Sequence, residues 1–447
     1  MPFCHLPIEE MTFPAQFPCE CGKTHKTPLK YVRIARGAVE SLPEALAVMG
    51  KKRPFVVCDK NTLKAAGERV YAVLKNAGIE FVPFVFPWNE IEPDERAVGS
   101  VMMNFDPSCD CFLAVGSGVI NDVCKVAGFA AGKPSLVVGT APSMDGYASN
   151  SSSMIVNGVK STLYNRVPEA IIADTDIMKD APMRMLQAGL GDMLAKYISI
   201  CEWRISHIIT GEYYCEEVAS LIRRALKKCV DGAEGLANRD PEAVGAVAEG
   251  LILSGMAMGF AEVSRPASGL EHYFSHMWEM MALERGEKSE LHGIQVGVGT
   301  RLTMDIYEKI KSLTPTRERA LEARANFDAA AWEARVHRVF GKTAPQILAI
   351  EEKTQKNDPA KHALRVEALI AHWDDVLSII REELPDYDFL IDTMKTVSLP
   401  MNPAEIGISD ADAKDAFLCA RDIRDKYLSC SFLWDLGYLD EFVSELK

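Results

Sequence analysis

Between Tyr31 and Met178 short apolar runs alternate with helix-forming stretches, and beyond Ala181 they stop doing so. That change of period constrains the fold more than any other feature of the chain. FVVCD (55–59) reads as a buried strand, and FVPFVF (81–86), CFLAVGSG (111–118), SLVVGTAPS (135–143) and IIADTDIM (171–178) as further strands, with helical text such as NTLKAAGERVYAVLKNAG between them. Strands alternating with helices indicate βαβ units and a mostly parallel sheet. After KDAPM the pattern becomes long stretches of 3.6-residue period, among them MRMLQAGLGDMLAKYISICEWRI, EEVASLIRRALKKC and AVAEGLILSGMAMGF. The expected organisation is therefore an N-terminal extension over 1–28, rich in Pro and Cys, an α/β dinucleotide-binding domain over 29–182, and a helical domain over 183–447. The segment 311–375 is polar and helix-prone and receives no role.

Composition narrows the partners. Lys and Arg number 49 against 63 Asp and Glu, a formal charge of −14 that leaves no cationic excess for a sequence-independent nucleic-acid binder. A local basic pocket for a small anion is compatible with it. The 12 cysteines are scattered rather than densely spaced, as in a cytoplasmic chain of reduced thiols. MPFCHLPIEE lacks the basic and apolar regions of a signal peptide. The most apolar run, LILSGMAMGFA (251–261), ends at Glu262, short of the ~20 residues of a membrane span, so no membrane insertion is expected.

Three sequence contexts carry metal-binding chemistry. Asp192 in AGLGDMLAKY, His272 in ASGLEHYFSH and His292 in SELHGIQVG each pair a ligating side chain with nearby glycine. Two imidazoles and one carboxylate suit a borderline divalent metal such as zinc, nickel or iron, with a coordination position left for substrate. His276 stands four residues after His272, on the same helical face. The remaining histidines read as structural. Upstream, AVGSGVIND offers Gly116 and Gly118 as a phosphate-binding turn before a helix N-terminus, although Asn121 occupies the third glycine position of a full GxGxxG. Such a turn is also common at the end of any buried strand. Asp122 either caps the helix or approaches a nicotinamide. In GTAPSMDGYASNSSS (139–153), Thr140, Ser143 and Ser149 are candidate donors and Asp145 a candidate acceptor for substrate hydroxyls; a solvated turn is the alternative. In CECGKTH (19–25), Cys19, Cys21 and His25 hint at a small zinc site, but the C-x-C spacing is unusual and no second pair follows.

In order, GSGVIND, TAPSMDGYAS, IIADTDIMKDAPMRM, AGLGDMLAKYISICEWRISH, SRPASGLEHYFSH, LHGIQVGVGT and DIRDKYLSCSFLWDLGYLDE resemble the sn-glycerol-1-phosphate dehydrogenases, within the superfamily of dehydroquinate synthase, glycerol dehydrogenase and iron-type alcohol dehydrogenases. The resemblance covers about 30–310 and the extreme C-terminus. It implies that Gly116–Ser117–Gly118 cradle the pyrophosphate of NAD(H) or NADP(H), with Thr140, Ser143 and Ser149 beside the cofactor and Asp59 near the adenine ribose. It further implies that Asp192, His272 and His292 hold the metal, that Asp145 binds substrate, and that His276 contacts substrate or assists proton transfer. Lys160 is a candidate partner for a substrate phosphate. The implied reaction is hydride transfer between NAD(P) and the pair dihydroxyacetone phosphate and sn-glycerol 1-phosphate, in a homodimer or larger homo-oligomer. Two departures stand out: Val119 replaces a frequent hydroxyl residue, and 311–375 has no counterpart. A glycerol or other polyol dehydrogenase, and a catalytically silent ligand-binding protein with the same fold, are the alternatives.

Overall fold

The computed structural model describes residues 2–446. The chain packs into two compact units. The first comprises the N-terminal segment through Met193 together with Cys215–Ser264 and Thr396–Ser398; the second comprises Leu194–Tyr214, Arg265–Lys395 and the chain from Leu399 onward.

In the first unit a short antiparallel hairpin, β1 (Phe17–Pro18) with β2 (Thr24–His25), precedes a six-stranded sheet. Its strands are β3 (Tyr31–Ala35), β4 (Pro54–Cys58), β5 (Val82–Val85), β6 (Cys111–Gly116), β7 (Ser135–Gly139) and β10 (Ala170–Asp174). They lie in the order β3-β10-β7-β6-β4-β5, and every pairing is parallel. Every residue of β4, β6, β7 and β10 is buried. Strands covered on both faces read as continuous apolar runs, which is why these four were legible. One face packs Val56, Leu113, Val138 and Ile172 against Leu42, Leu46, Val70 and Leu74. The chain passes outward from β4 to β5 and then returns to place β6 on the other side of β4. That reversal opens a crevice beyond the carboxyl ends of β4 and β6, the usual ligand position in such sheets.

Several expected elements differ in extent. The 135–143 run is strand only to Gly139. The 171–178 run ends as strand at Asp174, whose carboxylate accepts the Asp176 N–H and caps the helical turn Thr175–Met178. An antiparallel hairpin, β8 (Ser151–Val156) with β9 (Val159–Tyr164), has no strong apolar alternation to announce it. Its Asn157–Gly158 turn has φ of 53° and 75°, the two left-handed residues that a tight hairpin requires.

Three long helices, Met183–Leu194, Glu216–Asp231 and Pro241–Ala261, belong to this first unit. The run 251–261 is the end of the last, which at 21 residues does have the length and hydropathy of a membrane span. The expectation from length is corrected accordingly; 78% of its most apolar window is buried inside the fold, the placement of a core helix. The second unit is helical throughout its described residues, with Lys196–Thr210, Leu270–Arg285 and His292–Ile310 foremost. The segment 311–375 forms the helices Arg317–Ala325, Ala329–Phe340, Ala344–Thr354 and Pro359–Ala371 and opens Trp373–Glu383.

Glycine spacing sets how closely the first unit packs. A Cβ at Gly189 would overlap the Pro142 carbonyl oxygen, and one at Gly255 would lie 2.9 Å from the Asp145 carbonyl oxygen. The helices carrying these glycines therefore approach the loop after β7 at main-chain distance. Gly189→Ala is expected to destabilise the protein by about 1–3 kcal/mol, the usual cost of overpacking. Gly259→Ala, where a Cβ meets nothing within 4 Å, is expected to be neutral or to stabilise by up to ~1 kcal/mol through helix propensity. Denaturant unfolding of the two variants beside the parent checks both.

Candidate functional site

In the first unit the site is built on β6 and β7, whose last residues Gly116 and Gly139 lie side by side. Gly116 admits no side chain, because a Cβ there would sit 2.7 Å from the Ile120 Cβ. Ser117 then leads into the helix Gly118–Ala130, whose first N–H groups and dipole favour an anion at this edge of the sheet. The Ser117 and Ser143 hydroxyls are 2.6 Å apart, and the Thr140 N–H donates to the Gly116 carbonyl at 3.1 Å. Gly116, Ser117, Gly118, Thr140 and Ser143 are thus brought together by two adjacent strand ends. Asp59 stands at the end of β4, the next strand, where its Oδ1 accepts the N–H groups of Asn61 and Thr62, each at 2.7 Å.

The loop 140–150 is held from behind by a residue that sequence reasoning missed. Lys125, buried on the helix Gly118–Ala130, donates its Nζ to the carbonyls of Gly146 (3.2 Å), Ser149 (3.3 Å) and Ser151 (2.5 Å). Its ion pair is Asp122 Oδ1 at 3.0 Å, while Asp122 Oδ2 accepts the Ser153 N–H at 3.1 Å. Asp122 thus balances the Lys125 charge within the helix through Oδ1 and ties the helix to β8 through Oδ2. A lysine on the inner face of an otherwise apolar helix was the available signal. Ser149 is buried, with its hydroxyl 2.9 Å from that of Ser151. Tyr147, buried in the same loop, donates to the Ala141 carbonyl at 2.7 Å; burial pushes its hydroxyl up to about 12, so it remains a donor at neutral pH.

Asp145 occupies the middle of this loop. Its N–H donates to Asp192 Oδ2 at 3.0 Å, and its Oδ2 accepts the Ser254 hydroxyl at 2.8 Å. Ser254, a small polar residue on the apolar helix Pro241–Ala261, was also missed. The two acids 47 residues apart are thus neighbours in one unit. Lys160 pairs with Ile155 on β8, four rows along the hairpin from Ser151. At about 3.3 Å per residue that is ~13 Å along the strand.

The second unit gathers the imidazoles. The helices Leu270–Arg285 and His292–Ile310 pack closely because Gly299 lies against the main chain of Glu271, where any Cβ would overlap the carbonyl. The ring centroids of His272 and His292 are 5.3 Å apart, and those of His276 and His292 are 5.8 Å apart. His272 Nδ1 lies 2.9 Å from Glu271 Oε1, an arrangement that keeps the proton on Nδ1 and the Nε2 lone pair available for a metal. Glu271 is fixed in turn by the Gly269 N–H at 2.6 Å. Close by, burial and the Glu271 carboxylate raise the Glu202 carboxyl, which accepts from the Leu270 N–H and the Ser429 hydroxyl. His292 Nδ1 is 3.1 Å from the Ser275 hydroxyl and 3.4 Å from Glu279 Oε1; His276 Nδ1 is 3.5 Å from Glu279 Oε2. Ligand atoms of His276, Glu279 and His292 lie within 4.8 Å of one another. Glu279 was missed although it stands three residues after His276, one helical turn along the same face.

Within the second unit the donor chemistry suits a divalent metal: the imidazoles of His276 and His292 and the Glu279 carboxylate lie close together, with His272 beside them. The glycine turn fits a pyrophosphate.

Comparison with known proteins agrees with this chemistry. The family model described as iron-containing alcohol dehydrogenase matches residues 33–182. A glycerol-1-phosphate dehydrogenase [NAD(P)+] of Halalkalibacterium halodurans is 36% identical over 294 residues, 65% of this chain and 74% of that protein. One of Bacillus licheniformis is 30% identical over 427 residues, 94% of this chain and 93% of that protein. Among solved structures, glycerol dehydrogenase from Schizosaccharomyces pombe aligns over 94% of this chain and 90% of its own, with a TM-score of 0.61 at 15% identity, a likeness of fold. With its parallel sheet, helical second unit and these relatives, the chain belongs to the glycerol-1-phosphate dehydrogenase family.

Proposed function

We propose that the protein interconverts dihydroxyacetone phosphate and sn-glycerol 1-phosphate with NAD(P) and a divalent metal. The observation that carries this reading is the match to glycerol-1-phosphate dehydrogenases [NAD(P)+] along 94% of the chain. In the reductive direction, NAD(P)H, one proton and the ketone give NAD(P)+ and the secondary alcohol.

Gly116, Ser117 and Gly118 receive the pyrophosphate at the helix N-terminus, Thr140, Ser143 and Ser149 border the cofactor, and Asp59 meets the adenine ribose. Lys125 and Asp122 hold the 140–150 loop in place beneath it. Asp192, His272 and His292 bind the metal; Glu271 and Ser275 orient the two imidazoles through Nδ1. When bound, the cation acts as a Lewis acid on the ketone oxygen, worth several kcal/mol as charge develops, and the nicotinamide supplies the hydride. Asp145, steadied by Ser254, accepts hydrogen bonds from substrate hydroxyls. His276, with Nδ1 toward Glu279, delivers a proton from Nε2 to the alcohol oxygen. Zinc, nickel and iron all suit this ligand set. The 12 cysteines, none of them in a disulfide among the described residues, fit a reducing, cytoplasmic setting, and a homodimer or larger assembly is the proposed state.

Following NADH and NADPH oxidation after chelation and after return of Zn²⁺, Ni²⁺ or Fe²⁺ tests the reading. Metal-dependent turnover is expected with dihydroxyacetone phosphate, preferred over dihydroxyacetone by ~10⁴, because a site built for a charged group leaves its polar groups unpaired against an uncharged analogue. Comparable turnover of dihydroxyacetone would favour a polyol dehydrogenase, and none with any metal a silent binding protein. Asp192→Ala and His272→Ala should lose metal and turnover together; near-normal rates in metal-stripped Asp192→Ala protein would sink the assignment. Lys160→Ala should raise KM for the phosphorylated ketone while sparing kcat, and an unchanged KM removes Lys160 from the phosphate site.

A further inference from the structure

The N-terminal cysteines acquire a partner that lies 196 residues away from Cys19 in sequence. The β1–β2 hairpin turns through Cys19–Gly22, with the Cys19 N–H donating to the Lys23 carbonyl at 3.0 Å and Gly22 in the left-handed region at φ 86°. The turn presents Cys19 and Cys21, and β2 carries His25. Cys215 immediately precedes the helix Glu216–Asp231 in the same unit. Cys19 Sγ lies 3.7 Å from Cys215 Sγ, Cys21 Sγ lies 3.4 Å from His25 Nε2, and Cys215 Sγ lies 3.5 Å from His25 Nε2. All four donor atoms fall within 4.8 Å of one another.

These three separations match edges of a metal tetrahedron. Bonds of about 2.3 Å to sulfur and about 2.0–2.1 Å to nitrogen, at tetrahedral angles, put sulfur atoms ~3.8 Å apart and sulfur ~3.5 Å from nitrogen. The imidazole is already set for the task. His25 is 1% exposed, and its Nδ1 lies 2.9 Å from the Phe260 carbonyl oxygen, an acceptor only. Nδ1 must therefore carry the proton, and the Nε2 lone pair faces the three sulfurs. Phe3 and Phe260 pack on the ring, with centroids at 5.1 and 5.9 Å, and hold its plane. A disulfide explains less: the Cys19–Cys215 sulfurs stand well beyond the ~2.05 Å of a bond, and it would leave Cys21 and His25 without a reason to converge.

We propose that Cys19, Cys21, His25 and Cys215 form a closed Cys₃His site for a structural zinc ion, separate from the metal of the redox reaction. Four protein ligands leave no position for substrate, which marks the site as structural. Its ion staples the N-terminal hairpin to the start of the helix Glu216–Asp231. The same hairpin already sits on the end of the helix Pro241–Ala261, where Lys23 donates to the Ala261 carbonyl at 2.8 Å and His25 meets Phe260. Ordering of the β1–β2 hairpin is thereby coupled to metal.

The test is zinc content and zinc-edge X-ray absorption on the full-length protein, purified with reductant, as parent, Cys21→Ser, Cys215→Ser and Asp192→Ala. One zinc per chain with a three-sulfur, one-nitrogen shell is expected in Asp192→Ala, the same sulfur-ligated zinc in the parent in addition to whatever metal its redox site holds, and loss of that sulfur-ligated zinc in both cysteine variants. Should those variants fail to fold, the parent decides alone: its four named residues should release one zinc to a chromophoric chelator when the thiols are titrated with a mercurial, and Cys19 and Cys21 should resist alkylation until then. A parent with no sulfur-ligated metal, or a Cys19–Cys215 disulfide found by mass spectrometry in protein handled without reductant, overturns the proposal.

Discussion

A loop buried between a sheet edge and two helices carries main-chain polar groups that water cannot reach, and an unpaired one costs about 1–3 kcal/mol. The Lys125 ammonium resolves this for the 140–150 loop. Three carbonyls and the Asp122 carboxylate surround its Nζ, so the charge is paired and the carbonyls are satisfied by one group. Everything proposed for cofactor and substrate in the first unit depends on that loop keeping its course: Thr140, Ser143 and Ser149 on one side, Asp145 on the other. Gly189 and Gly255 complete the constraint, since only residues without a Cβ allow their helices to close on the loop's main chain.

The second unit applies the same logic to side chains. Two helices approach at Gly299, and the imidazoles they carry come within ring-contact distance. Two nearby carboxylates, Glu271 and Glu279, favour a proton on the Nδ1 that faces them in each ring. A histidine with an undirected Nδ1 is a poor ligand, because the wrong tautomer presents N–H to the cation. Glu202, raised by burial and by Glu271, supports the start of the His272 helix through the Leu270 N–H rather than by reaching the imidazoles.

Much of this was legible in the chain. The four fully buried strands declared themselves as uninterrupted apolar runs, and Gly116 and Gly118 marked the turn after one of them. Asp192, His272 and His292 stood out by residue type and context. Less legible were β8 and β9, because Ser151–Ser153 and Lys160–Thr162 have no apolar face to alternate. Lys125, Ser254 and Glu279 escaped for a different reason. Each looks ordinary in its own helix, and its significance lies in a carbonyl, carboxylate or imidazole contributed by another segment. The apolar run ending at Ala261 was measured too short, since helix length is set by caps at Asp240 and Glu262 rather than by hydropathy.

By itself the sequence determined the class of the fold and the family, because periodicity and motif text are local properties of the chain. Tertiary structure decided which groups act together. It joined Asp145 to Asp192 across 47 residues and brought Cys215 to Cys19 across 196. It also set tautomers that depend on a carbonyl at Phe260 and a carboxylate at Glu271. Hydrogen bonds and coordination act over about 3 Å, and only the folded chain brings residues so distant in sequence within that range.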